Sequence, residues 1–114
     1  KSISIGDNSN VKVNNLNINN SEIGIAVKDN SNADITTVNI KNSTLPIAVF
    51  VKKEEYGPAK LLINNFNISM SNEVYLVDNV SKLTIDGVNY EGNFSGEFIE
   101  SSLYGNDYGR ATVR

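Results

Sequence analysis

The sequence predicts an all-β solenoid: a right-handed parallel β-helix of about four to five coils of roughly 22 residues, with three short strands in each. Three observations carry that expectation. The chain repeats internally, apolar residues recur in step from one repeat to the next, and Asn-rich turn signals separate short β-branched runs.

The repeat is legible residue by residue. Val11-Lys12-Val13-Asn14-Asn15-Leu16-Asn17-Ile18 aligns with Ala33-Asp34-Ile35-Thr36-Thr37-Val38-Asn39-Ile40. Leu61-Leu62-Ile63-Asn64-Asn65-Phe66-Asn67-Ile68 and Leu83-Thr84-Ile85-Asp86-Gly87-Val88-Asn89-Tyr90 follow the same pattern. Val13, Ile35, Ile63 and Ile85 are 22, 28 and 22 residues apart, and Asn17, Asn39, Asn67 and Asn89 keep that step. A second column steps by 22, 22 and 28: Ile3-Ser4-Ile5, Ile25-Ala26-Val27, Ile47-Ala48-Val49 and Tyr75-Leu76-Val77. The single long step has a visible cause, six extra residues in the run Val51-Lys52-Lys53-Glu54-Glu55-Tyr56-Gly57-Pro58. A further step of 14 from Ile99 places Val113 in a fifth coil.

The elements of one coil follow in order. A first strand, typified by Ile25-Ala26-Val27, leads into a polar loop, Asp7 to Asn10 or Asp29 to Asn32. A second strand comes at Val13, then a two-residue turn (Asn14-Asn15, Thr36-Thr37, Asn64-Asn65, Asp86-Gly87), then a third strand at Leu16. The loop Asn19-Asn20-Ser21 closes the coil. Strands this short cannot stand alone, but coils stacked about 4.8 Å apart pair each strand with its equivalents above and below. Alternate residues then point inward as Ile, Val and Leu columns while their neighbours face solvent. The two-residue turn is expected to hold a left-handed residue, which Asn and Gly supply. A sandwich would not give in-step columns, and a left-handed β-helix would show a strict hexapeptide period. An ice-binding solenoid would carry a flat Thr ladder outside, which Ser4, Ala26, Ala48 and Leu76 do not supply.

Composition narrows the function classes. The 114 residues fit one domain, 1–114, with 39% hydrophobic residues and no stretch long enough to span a membrane as a helix. The formal charge is −3 and the basic residues are scattered apart from Lys52-Lys53, so the clustered positive charge a nucleic acid requires is missing. There is no Cys and no His, which removes thiol catalysis, Ser-His-Asp chemistry, ordinary zinc sites and disulfides. The chain opens on a full first-column strand, Ser2 to Ile5, and Val113 falls in a coil that is not completed. The expectation is therefore a fragment of a longer chain, with flanking domains or end-to-end self-association of the open coils.

The three-strand coil and the Asn-rich turn make the chain resemble the right-handed parallel β-helix repeat proteins of the pectin-lyase-like superfamily, over essentially its whole length. Ile25-Ala26-Val27-Lys28-Asp29, followed one coil later by Ile47-Ala48-Val49 with Lys52-Lys53-Glu54-Glu55-Tyr56-Gly57, is similar to β-helix segments of bacterial surface proteins that accompany spore-coat-kinase-like domains. The resemblance implies a saccharide groove along the outer face of the first strands, with Ser4, Ala26, Ala48 and Leu76 as its floor. Its wall would be the loops starting at Asp7, Asp29, Val51 and Asp78. The later outward residues, Phe50, Val74, Leu76 and Phe98, make that floor apolar enough to require cover from the long loop, the Tyr104 to Tyr108 segment or another chain.

The long loop is the one segment that breaks the period and gathers both charge signs with an aromatic, so Lys52, Lys53, Glu54, Glu55, Tyr56 and the neighbouring Lys28 are the candidate ligand-binding residues. The alternative is a solvated insertion with Tyr56 packed on the coil. For catalysis, a lyase would need a base and an enolate stabiliser, for which Lys28, Lys52, Asp29 and Asp78 are the candidates. Asp29 and Asp78 are also the candidate metal ligands, and calcium is the ion their oxygens would suit. Against this, only Arg110 and Arg114 are present where lyase branches carry Arg-rich motifs, and Asp7 and Asp29 suit turn capping. The Asn17 column reads either as a structural amide ladder or as a glycan surface. The expected function is a non-catalytic extracellular or cell-surface module binding a polysaccharide or a surface protein, without cofactor, nucleic acid or membrane. The alternatives are a fragment of a polysaccharide lyase or glycoside hydrolase, and a purely structural stalk.

Overall fold

The structure, a computed structural model, describes residues 2–71, 75–92 and 94. Val74, Phe98, Ile99, Val113, the Tyr104 to Tyr108 segment, Arg110 and Arg114, which the repeat and the groove assignment invoke, lie outside the described residues. Seven strands are described: β1 (Ile3–Ile5), β2 (Asn10–Lys28), β3 (Asn32–Phe50), β4 (Lys60–Ser69), β5 (Tyr75–Val77), β6 (Lys82–Ile85) and β7 (Val88–Glu91). No helix occurs among the described residues. The strands form one mostly parallel sheet in the order β1-β2-β3-β4-β6-β7, with β5 pairing off β3.

The register follows the sequence repeat. Ile3, Ile25, Ile47 and Tyr75 pair in succession, as do Ile5, Val27, Val49 and Val77. Val13, Ile35, Ile63 and Ile85 form the second column. Both chains of pairing absorb the 28-residue step without losing phase, because the extra residues leave the sheet between β3 and β4.

β2 and β3 each run for 19 residues. Straight strands of that length would measure about 60 Å, yet the longest extent of the molecule is 31 Å. They therefore bend, and the burial pattern locates one bend. Val13 and Leu16 turn inward while Asn14 and Asn15 between them are both exposed, and Ile63-Asn64-Asn65-Phe66 repeats the pattern. Two successive outward residues shift the alternation by one and redirect the chain.

This bend corrects the expectation of a left-handed residue there. Positive φ does not occur at Asn14-Asn15, Thr36-Thr37 or Asn64-Asn65. It occurs instead in pairs at Asp7-Asn8 and Asp29-Asn30, where the first strand gives way to the polar loop, and at Asn20, Asn42 and Met70 after the third strand. Asn is selected at the first two corners for backbone reasons, and at 14, 15 and 64 as an exposed polar residue in extended backbone.

The fourth repeat departs further. Asp86 and Gly87 hold φ of 51° and 79°, which suits a type I′ hairpin turn, and β7 folds back antiparallel on β6. Leu83 faces Tyr90 and Ile85 faces Val88. Asn89 is thereby removed from the Asn17 row, and its Oδ1 accepts from Thr84 Oγ1 at 2.9 Å. Phe66, Tyr75 and Tyr90 stack edge to face with centroid separations of 6.0 and 5.5 Å.

The main core consists of the inward columns, with Ile25, Val27, Ile35, Val38, Ile47, Val49 and Ile63 fully inaccessible. Burial of such a side chain stabilises by about 1.5–3 kcal/mol. A second buried cluster lies among the outward positions of the first strands: Ile23, Ala26, Ala48, Phe50 and Leu76, with Leu45 against them. Gly24 belongs to the same close packing, since a Cβ there would stand 2.5 Å from the Pro46 carbonyl oxygen one repeat on.

Polar rows complete the stacking. Asn30, Asn32, Asn39 and Asn42 donate through Nδ2 to Oδ1 of Asn8, Asn10, Asn17 and Asn20, and Asn67 donates to Asn39, at 2.6–3.1 Å. Each amide bond joins residues one repeat apart, so the rows pin the register that the apolar columns select.

Candidate functional site

The groove expected from the family resemblance is closed over most of its floor. Ser4 is exposed, but Ala26, Ala48 and Leu76 are buried in the second apolar cluster. These positions cannot line an open cleft. Their apolar character is explained by packing, and the candidate site moves to the loop at their edge.

That loop, residues 51–58, is held by three aspartates. Asp78 Oδ2 accepts the Val51 N–H at 2.7 Å. Asp29 Oδ1 accepts the Lys52 and Lys53 N–H groups, each at 2.7 Å. Asp7 accepts from Lys53 Nζ at 3.3 Å on both carboxylate oxygens. The loop is thus tied to the repeats on both sides of its own. Tyr56 N donates to Lys53 O at 3.0 Å and closes a turn, and Asn30 N donates to Gly57 O at 2.9 Å.

Burial separates the roles. Asp29 and Asp78 are buried, and hydrogen bonds from several N–H groups are what make a buried carboxylate tolerable. Asp78 also caps its own loop, accepting Ser81 N at 2.8 Å and Val80 N at 3.3 Å. Asp29 Oδ2 is buried and has no hydrogen-bond partner among the described residues. Outside, Lys53, Glu54 and Glu55 are exposed while Lys52 and Tyr56 are half-buried. The Lys53 ammonium lies 5.7 Å from the Tyr56 ring centroid, within cation–π range. Its hydrogen bond to Asp7, and then the Asp7 charge, raise the Lys53 pKa above its ordinary value.

The candidate residues therefore divide into two groups. Lys52, Lys53, Glu54, Glu55 and Tyr56 share one clamped turn. Lys28 is half-buried on β2, with its methylene chain lying along Gly6. Asp29 and Asp78 are not equivalent rungs, because Asp78 falls one residue earlier in its repeat: Lys28 pairs with Phe50, and Val49 with Val77. They meet the loop backbone from either side of its entry. No group of three or more acidic, His or Cys residues suited to a metal ion occurs among the described residues.

The aspartate clamp was only partly legible in advance. The place of Asp7 and Asp29 before Asn-Ser suggests capping of their own turns, whereas their carboxylates accept from Lys52 and Lys53 of the long loop. Their reach to a loop inserted one repeat after Asp29 and two after Asp7 depends on how that loop folds back, which no local pattern encodes. No protein-family model matches the chain, and no curated protein or solved structure matches it.

Proposed function

We propose that this chain is a non-catalytic extracellular module of right-handed parallel β-helix, presenting the 51–58 loop to a carbohydrate or a surface-protein partner. The solenoid reading rests on the in-step parallel register and on two 19-residue strands that bend inside a 31 Å molecule. Right-handedness follows the general preference of parallel crossover connections. Kinship with the pectin-lyase-like proteins rests on the resemblance of the repeat and its Asn-rich turn.

The observation that carries the binding reading is the double acceptance of the Lys52 and Lys53 N–H groups by buried Asp29. It fixes the backbone leading into the exposed residues Lys53, Glu54 and Glu55 before any ligand arrives, which lowers the ordering cost of binding. The same bonds favour a binder over an enzyme. Asp29 Oδ1 and both Asp78 oxygens face backbone N–H groups, where a lyase or hydrolase would need carboxylates open to substrate.

A glycan array and a surface-protein pull-down with the full chain, beside Lys53→Ala/Glu54→Ala/Glu55→Ala/Tyr56→Ala, test the reading. Retention by the parent chain and loss in the quadruple variant at unchanged circular dichroism is the expected result. Release of unsaturated product from acidic polysaccharides, read by absorbance, would establish the lyase instead. Equal retention by both chains would move the binding to another face, and retention by neither would leave a structural stalk.

A further inference from the structure

A second surface, on the third strand of each repeat rather than on the loop, has the composition of a binding face. The outward residues of the third strand fall into a three-by-three grid fixed by the register. Asn15, Thr37 and Asn65 form one row, Asn17, Asn39 and Asn67 the next, and Asn19, Lys41 and Ser69 the third. Every member is exposed or half-buried, whereas Val38, Ile18 and Ile40 between them are buried. The grid holds amides, two hydroxyls and one cation, with no carboxylate and no aromatic ring. A shallow depression follows the two rows from Asn17 and Asn19, with Ile18, Ile40 and Ile68 between them in its lining.

The central row is locked. Asn39 Nδ2 donates to Asn17 Oδ1 at 2.9 Å, and Asn67 Nδ2 donates to Asn39 Oδ1 at 2.8 Å. An amide has two N–H donors and two acceptor lone pairs, so Asn39 keeps one of each after both ladder bonds. The ladder fixes the rotamers, so little side-chain entropy remains to be lost on binding. Successive rungs repeat at about 4.8 Å, close to the advance of one sugar along an extended glycan. A sugar hydroxyl both donates and accepts, which matches an amide edge offering one N–H and one C=O. A protein partner would want an aromatic or aliphatic side chain standing out of the surface, whereas Ile18 and Ile40 are buried and Ile68 is half-buried, and a polyanion would want more than Lys41.

We infer that the grid centred on the Asn17-Asn39-Asn67 row is a site for an uncharged, extended polysaccharide running along the stacking direction, one sugar per rung. Affinity per chain is in the millimolar class, because no ring stacks on the sugars and each exposed hydrogen bond adds little net energy.

The test titrates the full chain with cellohexaose, xylohexaose and mannohexaose to about 10 mM, enough to load a millimolar site. Asn side-chain amides are followed by NMR. The expected result is saturable shifts at Asn17, Asn39 and Asn67 with at least one of the three sugars. Thr37→Ala/Asn65→Ala, which leaves the central row intact, should weaken binding several-fold at unchanged Tm. Asn39→Ala should weaken it by about tenfold or more. The loop variant Lys53→Ala/Tyr56→Ala should leave the shifts at Asn17, Asn39 and Asn67 as in the parent, whatever it does to shifts within residues 51–58, which separates this site from the loop. Absence of shifts with all three sugars, shifts confined to residues 51–58, or binding of oligogalacturonate alone would each overturn the inference.

Discussion

Asn42 Nδ2 donates to Asn20 Oδ1 at 2.6 Å, and both residues hold left-handed backbone, with φ of 60° and 56°. The register that pairs Lys41 with Ser69 sets Met70 next in this row, where it adopts φ 51° and is 73% exposed. Left-handed backbone costs an ordinary L-residue about 1–2 kcal/mol and Asn less, because its side chain bonds locally. Met70→Asn is therefore expected to stabilise the chain by about 1 kcal/mol and to raise Tm by roughly 4 °C. Thermal denaturation followed by circular dichroism checks this. A lowered Tm would mean that the third corner does not repeat the first two.

The columns Val13-Ile35-Ile63-Ile85 and Ile5-Val27-Val49-Val77 could be read from spacing, because core burial imposes one period on every repeat. The position of the long loop was legible for the same reason. Turn chemistry was less so. Asn serves at Asn20 for its left-handed backbone and at Asn14 as an exposed extended residue, and one letter does not separate the two uses. Asp86-Gly87 differed visibly from Asn14-Asn15 and Asn64-Asn65, and Asp-Gly is a strong hairpin signal. It stands, however, where the other repeats carry an extended pair. The closed first-strand face was half legible: Phe50 and Leu76 required cover, but its cluster with Ile23 depends on residues brought together from different repeats.

The clamp changes what deletion of the loop should do. Columns in phase on either side suggest that removal of residues 52–57 leaves the sheet intact. However, Asp29 is buried and takes both its hydrogen bonds from the Lys52 and Lys53 N–H groups. The deletion should therefore destabilise by about 2–4 kcal/mol, the cost of leaving a buried charge without donors. Adding Asp29→Ala to the deletion should recover part of that loss, whereas Asp29→Ala alone should cost about 1.5–3 kcal/mol. Urea denaturation of the three variants measures the effects. Additive losses in the double variant would show that Asp29 and the loop act independently.

The Lys53–Asp7 contact should leave a signature at alkaline pH. Asp7 raises the Lys53 pKa, so the folded chain holds this proton more tightly than the unfolded chain. Its contribution is complete below the unfolded ammonium value of about 10.4 and disappears as pH rises through the raised folded value. Lys53→Met should thus lower Tm slightly at neutral pH, with the difference from the parent vanishing as pH rises through the raised folded value. Added salt should shrink the same difference, because both side chains are exposed. A Tm difference that is constant across this pH range would point to packing of the Lys53 chain instead.

Gly87 decides whether β7 turns back on β6. Asp86 and Gly87 both need positive φ, and at 79° the glycine is the residue that meets this at no steric cost. A Cβ at Gly87 would meet nothing within 4 Å, so any penalty of substitution is a backbone penalty. Gly87→Ala should cost about 1–2 kcal/mol and Gly87→Asn distinctly less, since Asn tolerates this region. Gly87→Val should cost more than Ala, because branching at Cβ adds to the strain. Amide exchange should localise the effect, with Val88 to Glu91 losing protection before Ile35 and Ile63 in the core columns. Equal stability of the Ala, Asn and Val variants would show that the turn does not require left-handed backbone, and β7 would lose its reason to reverse.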